Sequence, residues 1–91
     1  MILFIQIPCF NEEETLKKTL NDLPKKINGI SQIKTLVIDD GSTDETIEVA
    51  ISAGVDFVIS NRTNKGLSKT FSKGIEYCLL LGADIIVNTD G

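Results

Sequence analysis

Ile33-Lys34-Thr35-Leu36-Val37-Ile38-Asp39-Asp40-Gly41-Ser42-Thr43-Asp44-Glu45 is the stretch that decides the fold. Its first half is a short run rich in apolar and β-branched residues, as expected of a strand covered on both faces by helices. Its second half is polar, and Ser42 with Glu45 three places on has the spacing of a capping box. A helix is therefore expected to start there and to carry Ile47, Val49, Ala50 and Ile51 until Gly54 stops it. A strand that passes through a carboxylate-rich loop into a helix is half of a βαβ unit.

The same unit recurs on either side. Ile2 to Ile7 is an uncharged, mostly apolar first strand closed by Pro8. Asn11 reads as the cap of the next helix, with Glu12, Glu13 and Glu14 in the first turn, where the helix dipole favours carboxylates. Leu16, Leu20, Leu23 and Ile27 then form one apolar face, Pro24 bends or ends the helix near Leu23, and Asn28-Gly29 turns the chain. Val55 to Ile59 is the third strand. After the loop Ser60 to Gly66, a third helix places Leu67, Phe71, Ile75, Cys78 and Leu79 on one face and ends at Gly82. Gly74 inside that helix costs about 1 kcal/mol relative to Ala, so a close approach to the sheet is expected there. Asp84 to Val87 is the fourth strand, and Asn88-Thr89-Asp90-Gly91 sets a carboxylate at its tip.

The order βαβαβαβ predicts the α/β class: a Rossmann-like, three-layer sandwich with a mostly parallel sheet of about four strands, three helices on its two faces and right-handed crossovers. Loops that follow the strands of such a sheet share one edge. Residues 8–12, 39–44, 60–66 and 88–91 should therefore converge where open α/β sheets hold ligands.

Composition narrows the chemistry. Ninety-one residues make at most one domain, and a chain of this size buries only roughly 60 to 65% of its unfolded surface. The content is 42% apolar and 24% charged, and no apolar run approaches the roughly 18 residues that span a bilayer. Met1 to Ile7 lacks a basic leader region and Pro8 ends the run too early for a signal peptide. A net charge of -4 with nine scattered Lys and Arg argues against nucleic acid as a partner. The absence of His excludes Ser-His and Cys-His nucleophilic machinery and His-based metal sites from this chain. Cys9 and Cys78 form no CxxC pair and lie in segments that read as buried, so reduced core thiols and a cytoplasmic setting are expected.

Pro8-Cys9-Phe10-Asn11-Glu12 contains no glycine, and no GxxxxGK(S/T) occurs, so neither a dinucleotide cradle nor a P-loop is encoded. Side chains and a metal ion would have to hold a ligand. Divalent cations on phosphate substrates take one or two carboxylates, and Asp90 at a strand tip suits that role. Each residue also has a plainer reading. Asn11 and the glutamates are ordinary helix-start residues, Ser42 to Glu45 is a cap, and Lys65 and Lys69 fit a solvated face. Asp39 and Asp40 are adjacent carboxylates that repel each other, which favours a ligand role for Asp40.

The joint pattern resembles a known family. Ile7-Pro8-Cys9-Phe10-Asn11-Glu12-Glu13 resembles the P-x-(Y/F)-N-E opening of the family 2 glycosyltransferases, and Val37 to Asp44 resembles their V-x-D-D-(G/N)-S-x-D segment. Asn64-Lys65-Gly66-Leu67 is similar to the family's N-x-G stretch, and Asp84 to Gly91 to the strand that leads into its DXD metal motif. These motifs occur in order and cover the whole chain. The resemblance implies a GT-A type fold with sheet order 3-2-1-4, of which residues 1–91 form the N-terminal, nucleotide-sugar-binding part.

It further implies that Pro8, Phe10 and Glu12 line the base and ribose pocket. Asp40, with Asp39 beside it, would accept a hydrogen bond from the base, and Lys65 or Lys69 would approach the phosphates. Asp90 would be the first Asp of the DXD motif, holding Mg2+ or Mn2+ on the diphosphate. No Arg stands near Thr70, where the family often has one, so that phosphate contact is not implied here. The chemistry implied is displacement of a nucleoside diphosphate from a sugar by an acceptor hydroxyl, with a general base in a downstream acceptor half. These residues alone are expected to bind donor without turning it over. The acceptor implied is lipid-linked or polysaccharide, with the full-length protein at the inner face of the membrane. An unpaired sheet edge is expected to favour self-association. A receiver-type domain would need an acidic pair after the first strand, which Gln6-Ile7-Pro8-Cys9 lacks, and a nucleotidyltransferase would need a glycine-rich loop there. A non-catalytic nucleotide-binding or assembly module of the same fold is the second reading.

Overall fold

The computed structural model describes residues 1–61 and 63–89. Strands and helices alternate along the chain: β1 (Ile2–Cys9), α1 (Leu16–Asn21), β2 (Gln32–Asp39), α2 (Thr46–Ser52), β3 (Phe57–Ser60), α3 (Leu67–Leu80) and β4 (Ile85–Asn88). The strands form one sheet in the order β3-β2-β1-β4, the order the resemblance implied, and every neighbouring pair is parallel. β1 and β2 pair from Ile2 with Gln32 to Cys9 with Asp39. Their C-terminal ends therefore finish side by side, and the loops leave from one edge.

Side chains of β1 alternate between two apolar layers, the period-two rule of a strand. Leu3, Ile5, Ile7 and Cys9 pack with Val37 against Leu16 of α1 and Ala50 of α2. Phe4 packs with Leu36, Ile38 and Cys78 of α3 on the opposite face. The rings of Phe4 and Phe57 stack there with centroids 5.9 Å apart. Burial on both faces explains why β1 carries no charge from Leu3 through Cys9. Cys9 and Cys78 are free, buried thiols, as expected. Among the described residues, no helix is long and apolar enough to cross a membrane.

The helix starts differ from expectation. Asn11 does not cap α1. It adopts φ 50°, in the left-handed region that Asn tolerates better than most residues, and α1 begins only at Leu16, so Glu12 to Glu14 precede it. The helix also ends at Asn21, short of Leu23, because the residue before a proline is pushed out of helical geometry. Ser42 and Glu45 form no capping box. The Ser42 hydroxyl donates to the Asp39 carboxylate and its oxygen accepts from Asn11 N–H at 2.8 Å, so it is engaged away from the helix end. α2 starts at Thr46, whose backbone N–H donates to Asp44 at 2.9 Å.

The third helix spans close to the expected range, but among its described side chains the buried positions are Thr70, Gly74 and Cys78, four apart, while Leu79 is 59% exposed. The expected close approach at Gly74 is present. A Cβ there would collide with Gln6 Oε1 and lie 3.2 Å from Ile38 Cγ2.

Candidate functional site

The parallel register brings Cys9 and Asp39 to the same level, and the two loops beyond them are tied by side chains. Asn11 N–H donates to Ser42 Oγ at 2.8 Å, and Thr43 N–H donates back to Asn11 Oδ1 at 2.8 Å. Glu12 N–H donates to Thr46 Oγ1 at 2.8 Å, and Glu45 N–H to Glu13 Oε2 at 3.0 Å. Asp44 accepts from Thr46 and from Glu13 N–H. Burial pushes its carboxyl upward, but these hydrogen bonds outweigh that and hold it below the usual carboxylate value. Polar residues that the sequence suggests as helix caps thus serve as loop-to-loop ties.

Asp39 is fully buried and folds its own loop, accepting from Gly41 N–H at 3.1 Å, from Ser42 N–H at 2.8 Å and from the Ser42 hydroxyl. Asp40, equally buried, reaches the other way. Its Oδ1 accepts from Asn61 Nδ2 at 3.0 Å, Lys65 N–H at 2.9 Å and Thr70 Oγ1 at 2.8 Å, and its Oδ2 accepts from Gly66 N–H at 3.0 Å. Asn61, in turn, donates to Thr70 Oγ1 at 2.9 Å and accepts from Lys73 Nζ at 2.8 Å. Burial alone would raise the Asp40 pKa. The donors from Lys65, Asn61, Thr70 and Gly66 prevail and hold it below the ordinary carboxylate value.

Gly41 seals the junction between these loops. It has φ 82°, and a Cβ on it would stand 2.9 Å from both the Asn64 nitrogen and the Thr63 carbonyl carbon. Residues 10–15, 40–45 and 63–66 therefore converge, as the sheet topology predicts. At the end of β4, Thr89 N–H donates to the Gln6 carbonyl at 3.0 Å, and Gln6 Nε2 donates to Asn88 Oδ1 at 3.2 Å and to the Phe71 carbonyl at 3.1 Å. Asp90 lies outside the described residues.

The residues singled out by sequence take different positions. Phe10 is 36% exposed at the tip of β1. Glu12 is half-buried, and Lys65 is exposed while its N–H is held by Asp40. Pro8 is buried in the sheet opposite Ile38, so it supports the strand end from within. Asp39 and Asp40 are enclosed and their oxygens engaged, so neither presents an acceptor to a base in this geometry. Burial first, then the negative charges of Glu12 and Asp39, push the Cys9 thiol up to about 12, which leaves it protonated and unreactive at neutral pH. Among the described residues, no three carboxylate or thiol side chains are grouped to hold a metal ion. The described donors therefore do not form a metal centre, and the expectation of Mg2+ or Mn2+ rests on Asp90.

Sequence reasoning passed over Asn61, Thr70 and Lys73. The available signal was Thr70: a polar residue four before Gly74 and eight before Cys78 must face the sheet, and a buried hydroxyl needs a partner.

The sequence pattern of the family described as glycosyl transferase family 2 matches residues 4–90. An uncharacterized protein of Methanocaldococcus jannaschii is 39% identical over 88 residues, covering 97% of this chain and 34% of that protein. The poly-beta-1,6-N-acetyl-D-glucosamine synthase of Staphylococcus aureus is 32% identical over 92 residues, covering 92% of this chain and 22% of the synthase. The chain thus spans about a third or less of these relatives' lengths. Among solved structures, glucosyl-3-phosphoglycerate synthase from Mycobacterium tuberculosis, in complex with Mn2+, UDP and glucosyl-3-phosphoglycerate, superposes with a TM-score of 0.76. It is 24% identical, and the match covers 98% of this chain and 33% of that one, which shows the shared fold.

Proposed function

Because the chain belongs to glycosyl transferase family 2 and has its GT-A type fold, we propose that it binds the nucleoside diphosphate of a sugar donor at the converged loops. The observation that carries this reading is the placement of Phe10. It is an exposed aromatic ring at the C-terminal tip of β1, the strand on either side of which the sheet order reverses. Such switch points are where open α/β sheets take nucleotides. In this reading Phe10 is the platform for the base, Glu12 faces the ribose, and Pro8 backs the strand end from within the sheet. Lys65 approaches the diphosphate, and Asp90 contributes a ligand for Mg2+ or Mn2+. Asp39 and Asp40 frame the pocket. The Mycobacterium tuberculosis synthase, with Mn2+ and UDP in its complex, supports a metal-assisted nucleotide site.

The reaction proposed for the full-length protein is displacement of the nucleoside diphosphate by an acceptor hydroxyl. The staphylococcal relative is named for a polysaccharide product, which supports a polysaccharide acceptor; the proposal extends to a lipid-linked acceptor and to action at the cytoplasmic face of a membrane. Residues 1–91 by themselves would bind donor and not turn it over. They would also self-associate through β4, the strand at one end of the sheet.

Calorimetric titration with UDP and GDP, with and without Mn2+ or Mg2+, tests the reading. Saturable binding strengthened by metal is the expected result. A folded sample that binds neither nucleotide under any of these conditions overturns it.

A further inference from the structure

The buried cluster around Asp40 is more than a local fold of the β2–α2 loop, because it reaches 25 residues along the chain to Lys65 and 26 to Gly66. Both N–H groups belong to the turn that precedes α3, and Gly66 has φ 91°, so this turn does not close on itself as a helix would. Asp40 supplies the acceptor for Lys65 N–H and shares Gly66 N–H with Asn64 Oδ1, which stands 3.0 Å from the same nitrogen. Thr70 and Asn61 complete its shell from the first turn of α3 and from the residue after β3. Lys73 lies behind Asn61, its Nζ donating to Asn61 Oδ1 at 2.8 Å, so an ammonium and a carboxylate share one amide. Gly41, next in sequence, leaves room for the backbone at Thr63 and Asn64 to lie directly on the β2–α2 loop.

We propose that Asp40 is a positioning residue of the donor site. It fixes the turn at Lys65 and Gly66, and with it the Lys65 side chain, through Asn61, Thr70 and the Lys65 and Gly66 N–H groups, and it does not itself touch the nucleotide. This rests on the donor-site reading above and assigns Asp40 a different task from that of a base acceptor. A carboxylate that already receives four hydrogen bonds and has no exposed surface has nothing left to offer a base edge.

Two readouts on the 91-residue chain decide it: amide hydrogen exchange at Lys65 and Gly66, and titration with UDP and GDP in the presence of Mn2+. In Asp40→Asn, exchange at Lys65 should accelerate about tenfold or more, the scale of a lost hydrogen bond to a charged group, exchange at Gly66 should accelerate by a smaller factor because Asn64 Oδ1 still accepts from it, and nucleotide affinity should fall with them. Thr70→Val should move both readouts in the same direction by a smaller factor, and Thr70→Ser, which keeps the hydroxyl, should restore them. If Asp40→Asn does not fold, Thr70→Val against Thr70→Ser decides by the same criteria. Loss of nucleotide affinity with unchanged exchange at Lys65 and Gly66 would mean that Asp40 contacts the ligand, and would overturn the proposal. So would wild-type exchange and affinity in the variants. If the wild-type chain binds neither nucleotide, the donor-site reading fails. The exchange comparison then still decides whether Asp40 holds the loop.

Discussion

Asp40 is ionised in an enclosed position only because backbone and side-chain donors surround it, and this gives the protein an acid limit. Its folded-state pKa is depressed, as is that of Asp44. The unfolded chain, whose Asp groups titrate near about 4, therefore binds more protons than the folded one as the pH drops. The stability these groups contribute is present above about pH 4 and is lost as the pH falls through their lower folded values. Urea midpoints measured from pH 6 downward should decline in that window, and Asp40→Asn should flatten the decline; an equally steep slope in the variant would contradict this account. Phe10 makes the opposite kind of contribution. Its ring is partly in water, so Phe10→Ala should leave the urea midpoint nearly unchanged yet weaken UDP binding by about 1–3 kcal/mol, the range of a lost base–aromatic stack. A variant with wild-type affinity would remove Phe10 from the site. At this scale the sequence shows which residues are polar and adjacent. What adjacency hides is direction: Asp39 turns back on its own loop, whereas Asp40 turns toward a segment 25 residues later.

Among the elements, α3 against β1 was the most readable contact and α2 the least. Gly74 in a helix has a local cost, which pointed to a neighbour, and that neighbour is Gln6. Gln6 is held by two hydrogen bonds from its amide nitrogen, to Phe71 and Asn88, so its side chain is not free to swing aside. Gly74→Ala should gain about 1 kcal/mol of helix propensity and incur an overpacking penalty of about 1–3 kcal/mol, a net loss. Urea unfolding of Gly74→Ala, Gln6→Ala and the double variant would measure the coupling, with the Gly74→Ala penalty smaller when Gln6 is already truncated. Additive effects would show that the contact is not the source of the penalty. The start of α2 went the other way. Ser42 and Glu45 have capping spacing, but a local pattern cannot report that a buried carboxylate three residues earlier takes the serine hydroxyl. The early start expected for α1 failed for a related reason, since Asn11 is drawn to Thr43 across the loop.

For the molecule as a whole, the alternation of strands and helices gave the layers and the parallel sheet, and the uniformly apolar run of β1 marked the strand buried on both faces. The order of strands is not contained in that alternation and came from the family resemblance. β4, four residues long, stands at one end of the sheet with Val87 44% exposed. Beside it Leu3, Ile5, Leu23, Ile27 and Val87 line an apolar groove. A strand in that position offers unpaired backbone groups to a second copy, and a lysine on it opposes such pairing. Light scattering of the 91-residue chain should give a mass that rises with concentration, and Val87→Lys should lower it. A monomeric mass for the unmodified chain at every concentration would refute self-association.

The reciprocal ties between residues 11–13 and 42–46 also bear on motion. Asn11 donates to Ser42 while Thr43 donates to Asn11, and Glu12 and Glu45 add one bond in each direction. Neither loop can leave its place without stripping hydrogen bonds from the other, so the two open as a single cooperative unit. A ligand seated on this edge would meet a preformed rim in which the two strand ends move together, and the conformational entropy of ordering them would already be lost on folding.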